Sequence, residues 1–302
     1  MGSNARRMPR SAHRPPQLRR GPFRSRDVIA AGLLTPDQLR STAWRQLGRG
    51  VYIDAEVAVT PLVRIQAAEL WLPAEAVITA RSAAQVWGVD LADPESVVEV
   101  VSPRRIRPMP GLVVRAADIA ADEVTVHRGI RLTTPLHTAW EIARALPEIS
   151  AIGWIDGLAR RRRLSRRELR SHARRHIGEP GSRAAARTME LSDPRAESPP
   201  ESRLRIEMLR AGLPVAIPQF DVLVDGFFLA RLDFAWPAFR FGVEYDGQWH
   251  ADTGQLHRDR SRLRELNAAG WRIFHVTRED MRDIPALMRQ IAAALGQASS
   301  IL

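Results

Sequence analysis

The 302-residue chain has no cysteine and no lysine. The first absence excludes disulfides and thiolate-bound zinc, and fits a cytoplasmic, nucleoid-associated protein. The second excludes any scheme that needs an ammonium group. All 45 basic side chains of the Lys+Arg class are arginine, whose planar fork suits phosphate and carboxylate. No apolar run reaches the ~18 residues of a membrane helix, and the basic N-terminus lacks the apolar stretch of a secretory signal. What the chain has in excess is positive charge, +11 net. Such a surplus calls for a polyanionic partner, DNA before an anionic membrane. A homodimer or a protein partner stays open.

The fold class expected is α/β of the α+β kind, in four segments. Residues 1–22, rich in Arg and Pro, read as a disordered basic arm. Residues 23–176 read as a mixed α/β region, 177–196 as a loosely patterned connector, and 197–302 as a second domain. In the mixed region, RDVIAAG predicts a short helix stopped by Gly32, and Thr35-Pro36 opens a second. RQLGRGVYI follows as a strand pair, with Arg49 in its turn as a candidate DNA contact. Together these make a winged helix-turn-helix layout. SVVEVVS, GLVVRAAD and VTVHRGIRLTT alternate as three strands. His127 and His137 stand alone there and read as structural.

Residues 160–175, RRRRLSRRELRSHARR, hold nine arginines against one glutamate. Ser165 and Glu168 form a capping box that starts a helix. Like charge at this density repels itself unless a polyanion is present, so Arg160, Arg161, Arg162 and Arg163 are candidate phosphate contacts, against the alternative of a solvated face.

The segment from Glu201 reads as helix, three strands, helix, strand, helix. In RLDFAWP, alternation puts Arg231, Asp233 and Ala235 on one face and Leu232, Phe234 and Trp236 on the other. In FGVEYDG, Glu244 and Asp246 share a face. Three carboxylates so placed repel one another in an apolar setting, which a hard divalent cation, Mg²⁺ or Mn²⁺, would relieve. Glu201 has two readings: a helper to that metal, or the partner of Ser198 in a capping box.

Two resemblances attach to these residues. Arg49, Gly50, Val51 and Tyr52, with the helix pair before them, resemble the N-terminal domain of abortive-infection (type IV) antitoxin-like regulators. Asp233, then Val243, Glu244, Asp246, Gly247 and His250, then Asp259, Arg260, Arg262, Leu266, Gly270 and Trp271, resemble the very-short-patch-repair (Vsr)-like branch of the PD-(D/E)xK, restriction-endonuclease-like nucleases. That second resemblance implies an αβββαβ core and metal-dependent cleavage of DNA, in repair or in defence against foreign DNA. It implies Mg²⁺ or Mn²⁺ on Asp233, Glu244 and Asp246, with Glu201 assisting and Asp246 and His250 handling the attacking water. Asp246 stands where the broad superfamily has its lysine. Arg260 and Arg262 would add grip on DNA. The competing expectation is a non-catalytic transcriptional regulator or antitoxin-like protein that keeps the nuclease fold as a binding platform.

Overall fold

The computed structural model describes residues 13–91, 96–247 and 253–299, except for the side chains of 253–260 and 299. The chain divides into two compact units, Met1–Thr134 and Pro135–Leu302. Both are mixed α and β, and the described residues form three sheets. The fold class is therefore α/β, as expected. None of the described helices is long and apolar enough to cross a membrane.

The first unit opens with β1 (Phe23–Arg24), α1 (Ser25–Ala30), the single-turn α2 (Pro36–Leu39), β2 (Trp44–Gly48) and β3 (Val51–Asp54). Thr35 caps α2 through a full capping box with Gln38, and Pro36 supplies the helical φ of the first turn. The strands form a small sheet in the order β1-β3-β2. Phe23, Val28, Leu34, Leu39 and Trp44 fill the core beside it. Then come α3 (Pro61–Glu69), β4 (Val77–Ile78), α4 (Ala80–Val86), β5 (Val98–Ser102), β6 (Leu112–Ala116), β7 (Val124–His127) and β8 (Ile130–Thr133). Their sheet order is β6-β5-β4-β8-β7. VTVHRGIRLTT, expected as one strand, is a hairpin. Arg128 and Gly129 take φ of +52° and +79°, the left-handed pair that a two-residue turn demands. His127 packs against Trp87 with ring centroids 4.7 Å apart and the planes tilted by 33°, a structural place as expected.

The second unit begins with helices: α5 (Pro135–Ala145), α6 (Glu148–Arg162), α7 (Arg166–Arg175), α8 (Ser182–Leu191) and α9 (Pro199–Arg210). The stretch expected as a loose connector therefore contains α8, which packs on α5, α6 and α7. Its buried Ala185, Thr188 and Met189 explain why: spaced at three, four and one, they give the segment one face to bury. In α6, Asp156 is 1% exposed. Its carboxylate accepts from Ser192 Oγ (2.7 Å), the Asp193 amide (2.8 Å) and Arg205 Nη2 of α9 (3.0 Å). Gly153 is where α6 meets the start of α9; a Cβ there would lie 2.9 Å from Pro199 Cβ, so only glycine permits this approach.

The sheet of this unit comprises β9 (Ile217–Val224), β10 (Phe227–Trp236), β11 (Phe241–Asp246) and β12 (Arg272–Thr277), ordered β12-β11-β10-β9. α10 (Thr253–Ala268) crosses from β11 to β12, which run parallel, and α11 (Ile284–Ser299) closes the chain. The order α9-β9-β10-β11-α10-β12-α11 is the one expected from the sequence. α11 starts about five residues later than expected, because Asp280–Arg282 forms a separate 3-10 turn. α9 and α11 cover one face of the sheet through Leu204, Met208, Phe234, Val243, Leu287 and Ile291. Leu266 of α10 packs with Leu232, Ala235 and Trp271 on the other.

That partition corrects the simple alternation along β10, because Leu232 shares a cluster with Ala235 and not with Phe234. A Cβ on Gly242, the partner of Ala235, would meet Leu232 Cδ1 at 2.7 Å, which places Leu232 on that side. The irregularity falls at Asp233, where the β10–β11 pairing also ends.

Candidate functional site: a carboxylate cluster and an arginine array

The carboxylate cluster forms where β10 and β11 part. The last cross-strand pair is Phe234 with Val243. Beyond it, the Tyr245 amide donates to Asp233 Oδ2 at 2.8 Å instead of to the backbone of β10. A side chain thus takes the place of a ladder acceptor, and the strands splay around it. From β9, Gln219 Nε2 donates to Asp233 Oδ1 (3.3 Å) and to Glu201 Oε2 (3.0 Å). Gln219 adopts φ of +52°, which breaks the regular alternation of β9. A non-glycine residue held in that region costs about 1–3 kcal/mol, so its surroundings must over-determine it. Here the two carboxylates it bridges help to do so.

Of the two readings of Glu201, the structure bears on the cap, where Glu201 partners Ser198. It sits in the first turn of α9, where Ser198 Oγ donates to Oε1 at 2.7 Å and the Glu197 amide to Oε2 at 2.9 Å. The capping carboxylate is also the one bridged to Asp233. Glu244 is 6% exposed and receives a two-pronged fork from Arg262 of α10, Nη1 to Oε1 at 3.0 Å and Nη2 to Oε2 at 2.8 Å. Arg262, expected to grip DNA, is therefore engaged with a side chain of its own protein: α10 packs on β10 and β12, and a buried carboxylate without a cation would be costly. Asp246, at the end of β11, pairs with His275 Nδ1 of β12 at 3.0 Å. The parallel register sets Glu244 beside His275, whose Nδ1 is 4.0 Å from Glu244 Oε2.

Burial pushes the Asp233 carboxyl up to about 6. The negative charges of Glu201 and Glu244 push the same way, while the Tyr245 amide and Gln219 pull against them. Among the described residues, Asp233, Glu201 and Glu244 are thus brought together, and Asp246 is linked to them through His275. His250 lies outside the described residues, as do the side chains of Asp259 and Arg260. Sequence reasoning missed Gln219 and His275. Gln219 had no signal at all, whereas His275 carried a weak one, as a histidine within a buried strand next to the acidic one.

The arginine array occupies α6 and α7. Arg160, Arg161, Arg162 and Arg163 are exposed at the C-terminal end of α6, where cations also favour the helix dipole. Arg163 closes α6 in the left-handed conformation. α7 starts at Ser165 with the expected capping box. Arg167, Arg170 and Arg174, with Ser171, line one depression on its surface. Arg160 Nη2 donates to the Glu197 carbonyl at 2.8 Å, and Arg170 pairs with Glu190 at 3.2 Å. In the first unit, Arg49 lines a groove with Arg64, Trp71, Arg107 and Met109.

Residues 75–192 match the family model of the AbiEi antitoxin C-terminal domain, a span that includes the arginine array and stops short of the carboxylate cluster. The class is thus an α+β protein with an abortive-infection antitoxin-like domain. The chain is 32% identical over 251 residues to Uncharacterized protein Rv2248 of Mycobacterium tuberculosis (strain ATCC 25618 / H37Rv), and equally to Uncharacterized protein MT2308 of Mycobacterium tuberculosis (strain CDC 1551 / Oshkosh). Each alignment spans 82% of this chain and 91% of the relative, so the chain belongs to the family of these mycobacterial proteins. No solved structure matches the chain significantly.

Proposed function

We propose that this protein is a DNA-binding regulator of the antitoxin type, which grips DNA through the arginines of α6 and α7. The observation that carries the reading is the exposed run Arg160–Arg163 followed by the Arg167–Arg170–Arg174 face of α7. The run lies inside the span that matches the antitoxin domain. Guanidinium groups so spaced act by releasing counterions from phosphates, so the grip is independent of base sequence, and the first unit, with its helix pair and hairpin, is left to read the target. The test is the salt dependence of DNA affinity. Replacing Arg160, Arg161, Arg162 and Arg163 with Gln is expected to flatten the slope of log K against log[salt] by about one unit per lost phosphate contact. An unchanged slope would make these arginines a solvated surface.

A second reading, metal-dependent phosphodiester hydrolysis at the same DNA, is favoured by the Asp233 cluster. Its carboxylates, Asp233, Glu201 and Glu244, are oxygen donors of the kind a hard cation such as Mg²⁺ or Mn²⁺ prefers. A bound ion would supply Lewis acidity and a water of lowered pKa. Asp233 and Glu201 would hold the ion, Gln219 would orient both, and the fork of Arg262 would fix the Glu244 side chain. Asp246 with His275 would serve as the proton-handling pair, alongside His250. Incubation of supercoiled, linear and single-stranded DNA with Mg²⁺ or Mn²⁺ tests this. Cleavage that Asp233→Ala abolishes supports hydrolysis; no cleavage by the wild type, with tight binding to one DNA site, leaves the regulator reading alone.

A further inference from the structure

Three histidines meet in the helical part of the second unit, apart from the carboxylates and on a face of α7 that is more buried than its arginines. His137 lies in the first turn of α5, His172 in α7, and His176 at the C-cap of α7. α5 and α7 pack together. His172 and His176 are four residues apart, so they share one face of α7. Ring centroids are 4.7 Å apart for His172 and His176, 5.3 Å for His137 and His176, and 5.6 Å for His137 and His172. His137 is 5% and His172 1% exposed. Each ring offers a nitrogen within 4.8 Å of the nitrogens offered by the other two. A tetrahedral zinc ion with bonds of about 2.1 Å holds its nitrogens about 3.4 Å apart, so the rings need to close by no more than about 1.4 Å.

The groups around the rings fit a ligand set better than a plain aromatic core. Glu179 Oε1 is 2.6 Å from His176 Nδ1. A carboxylate there favours the Nδ1–H tautomer, which puts the ring's lone pair on Nε2, the arrangement that commonly backs a metal-bound histidine. Glu141 Oε1 lies 3.6 Å from His137 Nε2, and Arg144 balances Glu141 and Glu179 at 3.4 and 2.8 Å. Arg175 Nη2 donates to His172 Nδ1 at 2.8 Å. A histidine that gives its other lone pair to a metal carries hydrogen at that nitrogen, so Arg175, an exposed side chain, has to swing away on binding.

We propose that His137, His172 and His176 bind one divalent transition-metal ion of the zinc class. Three imidazoles select borderline metals such as Zn²⁺ and Co²⁺ over Mg²⁺, which prefers oxygen. The site is independent of the function proposed above.

The test uses the untagged full-length protein, stripped with a chelator and titrated with Zn²⁺, Co²⁺ or Mg²⁺. Expected are one zinc per chain by elemental analysis, visible tetrahedral bands with Co²⁺, and no competition from Mg²⁺. His176→Gln, the change at the least buried ring, is expected to lose the bands. Glu179→Gln should weaken zinc about tenfold or more as a positioning change. Arg175→Ala should bind at least as tightly as the wild type, which also shows that loss of a helical side chain does not abolish binding by unfolding. Asp233→Asn should keep the full stoichiometry. Absence of bound zinc in the wild type, or zinc retained undiminished by His176→Gln, would overturn the proposal.

Discussion

Two carboxylates in one compact unit, Asp156 buried and Asp233 half-buried, are treated in opposite ways. Asp156 is surrounded by donors: Ser192, the Asp193 amide and Arg205. Asp233 has two donors and two like charges, Glu201 and Glu244. Burial pushes both carboxyls above the usual range; at Asp156 the opposing groups are a cation and hydroxyls, whereas at Asp233 carboxylates add to the push. A buried charge with complete partners holds helices together, and one with incomplete partners is what a ligand can complete.

The largest effect is expected at the satisfied site. Asp156→Ala leaves Arg205, 12% exposed, and the Ser192 hydroxyl without their acceptor, and should cost about 3–5 kcal/mol in denaturant unfolding. Adding Arg205→Met should recover part of that loss. If Asp156→Ala costs nothing, Asp156 is not the tie between α6 and α9 that its hydrogen bonds describe.

Glu244→Gln comes next. It frees the fork of Arg262, whose side chain is 34% exposed and therefore partly reachable by water. A smaller loss, about 1–3 kcal/mol, is expected, again by denaturant unfolding. A loss as large as that of Asp156→Ala would put Glu244 with the structural carboxylates.

The smallest effect has the opposite sign. The folded pKa of Asp233, about 6, lies above its ordinary value of 3.8, so the folded state binds this proton more tightly than the unfolded chain does. The stability linked to Asp233 is complete below about pH 4 and is lost as pH rises through about 6. Thermal melts of metal-free protein should therefore show Asp233→Asn at least as stable as the wild type at pH 8, with the advantage shrinking towards pH 4. A variant less stable than the wild type at pH 8 would show that the carboxylate, not the missing counter-charge, suits the site.

Much of this architecture was legible because it is written locally. The caps at Thr35 and Ser165, the helix end at Gly32 with φ of +68°, and the strands around Asp233 and Glu244 each follow from a few adjacent residues. Glu201 was found through its cap spacing, and Asp233 and Glu244 through alternation. What escaped depends on residues far apart in the chain. Gln219 reaches Glu201 and Asp233 by leaving the regular β backbone, which no propensity of glutamine announces. The fork of Arg262 on Glu244 spans 18 residues. His137, read as a lone histidine, gains its two neighbours only when α5 packs on α7.

One feature of the helical layer links the two faces of the proposed function. Arg160 donates to the Glu197 carbonyl, the Glu197 amide donates to Glu201, and Gln219 joins Glu201 to Asp233. At Gly153, next to this chain of bonds, α6 and α9 touch with no space for even a methyl group. The exposed Arg160 and the half-buried Asp233 thus stand at the two ends of one string of hydrogen bonds. The contact at Pro199 leaves no empty volume beside these bonds, so any side chain at position 153 would have to push α6 and α9 apart.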